Sequence, residues 1–173
     1  FGSGCPPPKS GDGVPFTTLL AYRDAETDRW QRWFAVHPGA LEVVIGTGRT
    51  GTVRGLVIHT LAVELRYAQR LLGERVTEYE ELTPGSLDEI FAIGRTARRL
   101  IDRFLERATD ADMREVVTFG TLTAGTVTAT RYKITANLVN HGVRHWAQIA
   151  MALRQAGFAD QWGHDFLLSD VIP

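Results

Sequence analysis

The sequence predicts an all-α protein, an antiparallel four-helix bundle with a short β-hairpin-like excursion between its third and fourth helices. Two observations carry that expectation. Four segments repeat apolar side chains at helical spacing over about 20 residues each, roughly 30 Å of helix at 1.5 Å per residue, and Gly- or Pro-containing breaks separate them. One stretch, EVVTFGTLTAGTVTAT (115–130), is instead rich in Val and Thr, with Ala124 and Gly125 near its middle, as a hairpin would be.

The first helix is expected from Phe16 to about Val36, where Leu19, Leu20, Trp30, Trp33 and Phe34 alternate with charged positions until His37-Pro38-Gly39 closes the segment. Packing in the core is the simplest role for its aromatic residues, and a dimer face is the alternative. The second runs from about Thr52 to Leu72 through Leu56, Val57, Leu61, Leu65 and Ala68, and stops at Gly73, a residue suited to a left-handed cap. The third has the clearest start: Pro84-Gly85 breaks the chain, and Ser86 with Glu89 forms a capping box before a helix continuing to about Ala108. The fourth spans about Arg131 to Ala156, with Ile134, Leu138, Ile149, Ala152 and Leu153 on its apolar side and Gly157 as its stop.

A chain of 173 residues is long enough for one domain with a single core, assigned here to residues 16–173. Residues 1–15, FGSGCPPPKSGDGVP, read as a disordered leader or as residues added for expression. A net charge of −1 offers no field to attract nucleic acid or an anionic membrane, so neither is an expected partner. No apolar run approaches the roughly 20 residues that cross a bilayer. A cytoplasmic location is expected, in keeping with a single cysteine, Cys5, which cannot form an internal disulfide.

Several motifs point to chemistry, and most have a plainer explanation. The stretch IGTGRTGTVRG (45–55) satisfies G-x-G-x-x-G, but the polar TEYEEL (77–82) is unsuited to the second buried strand of a dinucleotide fold, and no Lys follows Gly51 as a phosphate loop requires. It reads as a flexible connector. Arg95, Arg99, Arg103 and Arg107 recur at i+4 and read as a solvated face. His37 and His164 read as surface residues.

His141 and His145 differ, because four residues on a helix return to the same face. With His59 from a facing helix they would make a three-imidazole site for a first-row metal, with a position left open. Gly142 follows His141, so the H-E-x-x-H base is absent and any nucleophile would be activated by the metal or brought by a cosubstrate. Glu64, Tyr67, Asn137 and Gln148 lie one or two turns from a candidate ligand, placed either to orient it or to face a neighbour. Because the ligands are neutral imidazoles of ordinary pKa about 6.5, metal affinity is expected to fall steeply below that pH.

Two segments, IHTLAVELRYAQRLLG (58–73) and NLVNHGVRHWAQIAMALRQAGF (137–158), resemble the DinB/YfiT-like superfamily of metalloenzymes, related to bacterial thiol transferases and mycothiol-dependent maleylpyruvate isomerase. The first resembles the family's helix with a His and a downstream Glu, the second its N-H-x-x-x-H-x-x-Q followed by L-R-x-x-G. The resemblance implies a stress-linked four-helix bundle, often a homodimer, with His59, His141 and His145 as ligands of Zn²⁺ or Ni²⁺. It implies a thiol S-transferase of bacillithiol or mycothiol type, a low-molecular-weight thiol attacking a small electrophile. A hydrolase using the same site, or a non-enzymatic metal- or ligand-binding bundle, are the alternatives. Many members carry a His before the last ligand and a Gly after it, where this chain has Arg144 and Trp146, and Trp146 is expected to narrow the pocket.

Overall fold

The computed structural model describes residues 15–121, 125–159 and 161–170, so the expected leader, apart from Pro15, lies outside the described residues. The chain is mostly helical with one small two-stranded antiparallel sheet. Four long helices, α1 (Phe16–Val36), α2 (Val53–Leu72), α3 (Leu87–Leu105) and α5 (Arg131–Gln155), accompany a short α4 (Asp110–Arg114) and the strands β1 (Val116–Thr121) and β2 (Gly125–Thr130). Each boundary has a local cause. Thr52 caps α2 by accepting from the Gly55 amide, and Gly73 ends it at φ 69°. Ser86 and Glu89 close the capping box of α3 as expected. The third helix ends at Leu105, short of Ala108, because Thr109 starts a separate helix by capping Asp112. The hairpin forms in the expected stretch, pairing Val116 with Thr130 through Thr121 with Gly125.

The core divides into two apolar clusters. One holds Trp30, Phe34, Leu61, Phe91, Trp146 and Leu153, the other Leu20, Leu71, Ile101, Phe104, Ile134 and Leu138. Helices α1 and α5 pass from the second cluster to the first, whereas α2 and α3 pass from the first to the second. The packed neighbours α2 and α3 therefore run parallel, which corrects the all-antiparallel expectation. Gly94 of α3 lies against Leu61 of α2, and Arg103 pairs with Glu74 just past the end of α2, as parallel neighbours must. The cause is the long connection 73–86, which returns the chain to the end where α2 began. Helix α2 packs on α3 and α5, and α1 packs on the same two.

Between the clusters lies a polar layer. Arg23 and Glu64, 2% and 0% exposed, pair at 2.8 Å inside the protein. They fit because α5 carries Gly142 at this level, where a Cβ would come within 3.0 Å of Glu64 Oε1. Such a pair gains little over apolar packing but is costly to break on one side only.

Two residues read as surface histidines are half-buried and pack on aromatic rings. His164 stacks on Trp30 at 5.2 Å and bonds through Nδ1 to the buried carboxylate of Glu26, which also accepts from Trp162 Nε1 at 2.8 Å. His37 stacks on Trp33 at 4.2 Å. The segment 161–168 thus packs on α1, a long-range contact without a sequence signal. The arginine ridge stays exposed and paired, Arg95 with Asp88 and Arg103 with Glu74. Trp30, Trp33 and Phe34 are core residues, so they offer no dimer face. Among the described residues no helix is long and apolar enough to cross a membrane.

Candidate metal centre

The three histidines meet where α2 and α5 cross. His141 and His145 share one face of α5, and His59 reaches them from the first half of α2, with ring centroids 5.4 and 5.1 Å away. One nitrogen from each lies within 4.8 Å of the others. The Nε2 atoms of His141 and His145 are 3.1 Å apart. Tetrahedral zinc with Zn–N bonds of 2.0–2.1 Å holds its ligand nitrogens about 3.3 Å apart, so this pair needs almost no movement and His59 a modest approach.

The proton positions suit ligation. Gln148 Oε1 lies 2.6 Å from His145 Nδ1 and can only accept there, so Nδ1 carries the hydrogen and Nε2 keeps its lone pair toward the other histidines. Burial, then the mutual effect of the rings and nearby Arg144, lowers His59 to about 4 and His141 to about 3. Burial lowers His145 too, against the Gln148 hydrogen bond. All three imidazoles are therefore neutral at pH 7, and the expected loss of affinity below about pH 6.5 moves to lower pH. Three neutral imidazoles converging with no carboxylate among them are donors that fit a first-row divalent ion.

The remaining sequence candidates separate. Gln148 touches the site. Glu64 does not join the cluster; it lies behind Gly142, paired with Arg23, and burial pushes its carboxyl up to about 7 despite that partner. Tyr67 and Asn137 line a different cavity of about 330 Å³, beneath the hairpin with Phe119 and Val127. Trp146 turns away from the histidines into the core, stacked between Trp30 and Phe91, so it does not narrow the pocket.

A cavity of about 1140 Å³ opens on His59, His145 and Gln148, and the Gly-rich loop forms its opposite wall. The loop is closed rather than slack: Ile45 and Gly46 both donate to the Gly51 carbonyl, and Val53 donates to that of Val43. Beside His59, Tyr79 stacks nearly parallel at 6.2 Å, and the guanidinium groups of Arg49 and Arg66 lie 4.8 and 4.5 Å from its ring centroid. Sequence reasoning missed this wall, because nothing local marks which loop will fold over a helix. It also missed Arg23, though an arginine between Leu20 and Trp30 in an inward stripe was a usable signal.

The model of the DinB family matches residues 13–167 of the chain. No curated protein matches it.

Proposed function

The chain belongs to the DinB family, and from that premise we propose that it is a four-helix-bundle metalloprotein holding Zn²⁺ or Ni²⁺ through His59, His141 and His145. We further propose that it acts as a thiol S-transferase of bacillithiol or mycothiol type on small electrophiles. The observation that carries this reading is the convergence of three neutral imidazoles, two of which, His59 and His145, line a large cavity.

The protein's own residues have distinct tasks. Burial keeps His59, His141 and His145 neutral, so each retains one lone pair that an ion can take, on His145 the Nε2 lone pair. Gln148 fixes the His145 ring and its tautomer. A divalent ion at this position would supply Lewis-acid chemistry that lowers the pKa of a thiol or water, making a nucleophile at neutral pH without a protein base. That suits a cavity whose described lining holds no Asp or Glu to act as base. The volume, slightly above the usual 300–1,000 Å³ of a ligand pocket, suits a thiol and an electrophile together.

The test is turnover of metal-reconstituted protein on a panel of low-molecular-weight thiols with a chromogenic electrophile. Thiol-dependent, metal-dependent product formation that disappears in His141→Ala supports the transferase. Hydrolysis of esters or amides without thiol would replace it with the hydrolase, and metal binding without turnover on either panel with a non-enzymatic role.

A further inference from the structure

Two cavities reach His59, and Arg49 borders both. The large one contains Arg49, His59, His145 and Gln148, and no acidic residue lines it among the described residues. The smaller, about 270 Å³, has Arg49, His59, Tyr79 and Glu80 in its wall. Arg49 is held there by backbone, not by chance. Gly55 lies one turn before His59 on the same face of α2, and a Cβ on it would overlap the Arg49 carbonyl oxygen. The loop thus rests directly on the helix that carries His59, and Gly48, at φ 72°, makes the turn that delivers Arg49.

The guanidinium rests on the Tyr79 ring, 4.8 Å from its centroid, and its charge is felt at His59. Among the described residues its acidic partner is Glu80, at 2.8 Å, itself 73% exposed. An exposed pair of this kind holds its members weakly, so Arg49 can exchange Glu80 for another carboxylate at little cost. Arg144 adds a second positive charge felt at all three histidines. The large cavity, with the Arg49 guanidinium, neutral imidazoles and no acidic residue in its described lining, favours an anionic guest, and a guanidinium recognises a carboxylate through two parallel hydrogen bonds.

We propose that Arg49 anchors the small molecule used at the histidine site, and that this molecule carries a carboxylate. The inference rests on the reading of the three histidines as a thiol-accepting metal site and adds the chemistry of the thiol: a carboxylated one in preference to an uncharged one.

The experiment uses the full chain loaded with Co²⁺, titrated with 3-mercaptopropionate and with 2-mercaptoethanol while the sulfur-to-cobalt absorption band is followed. The readout is the ratio of the two dissociation constants in wild type, Arg49→Gln and Arg49→Lys, each checked for helicity and metal stoichiometry. The preference for 3-mercaptopropionate should fall about tenfold in Arg49→Gln, the scale of one charge-assisted contact at a partly exposed site. Arg49→Lys should restore part of it. An unchanged preference in Arg49→Gln overturns the proposal and leaves the metal site standing. Absence of the band with both thiols overturns the thiol-accepting site itself, and the proposal with it.

Discussion

Lowering the pH from 7.5 to 5 should cost far less metal affinity than three ordinary histidines would lose, because burial depresses the pKa of each ligand. Proton competition depends on the pKa of each ligand in the folded, metal-free protein. Two imidazoles at the ordinary 6.5 would each be protonated about 30-fold over neutral at pH 5, and together would weaken binding about 1,000-fold. With His59 at about 4 and His141 at about 3, both remain at least about nine-tenths neutral at pH 5, and their combined effect is less than about twofold. The lowered His145 adds a loss smaller than an ordinary histidine would. The same shifts act differently on the metal-free fold. Folded pKa values below the unfolded value mean that the unfolded chain takes up protons first. The histidines' contribution is thus complete above about pH 6.5 and is lost as the pH falls toward 4 and 3, by at most about 2 kcal/mol each at pH 5 and less with solvent screening. Glu64, raised to about 7, works in the opposite sense: its penalty at pH 7.5 is relieved by about 2 kcal/mol at pH 5. The assay is competition of Zn²⁺ or Ni²⁺ against a chromophoric chelator at both pH values, with chemical denaturation of the metal-free protein alongside. A 1,000-fold loss of affinity at pH 5 would refute the argument that burial holds these rings neutral.

His59→Ala, His141→Ala and His145→Ala should each lower metal affinity by more than about 100-fold with helicity retained, read by metal analysis and circular dichroism; Gln148→Ala, which frees the His145 ring, should cost about 10–100-fold. Arg23→Met should destabilise the fold by roughly 1 kcal/mol more at pH 7.5 than at pH 5, where Glu64 is already protonated and needs no partner, measured by urea titration at each pH. Gly142→Ala should cost about 1–3 kcal/mol, because its Cβ would press on Glu64 Oε1, and a smaller cost for the same change in a Glu64→Ala background would identify that contact as the cause. From the family resemblance alone we propose a homodimer, and sedimentation showing a monomer at high micromolar concentration would remove that proposal without touching the metal site.

Periodicity alone placed the four long helices within a few residues, and local chemistry placed their ends: the Thr52 and Ser86 caps, the left-handed Gly73, the Val/Thr-rich hairpin. These features act over one to four residues, so a linear reading captures them. The pairing of His141 with His145 was legible for the same reason, being a consequence of helical pitch. What needed the tertiary structure was every relation between distant segments. The direction of α3, parallel to α2, depends on how the 73–86 connection travels; the burial of Arg23 and Glu64 and the pairing of His164 with Glu26 depend on partners 41 and 138 residues away. The separation of Tyr67 and Asn137 from the histidines, and the folding of Arg49 over His59, depend likewise on which faces meet. A side chain's phase on its own helix is fixed by its sequence, but its neighbours, its burial and hence its pKa are fixed only when helices pack.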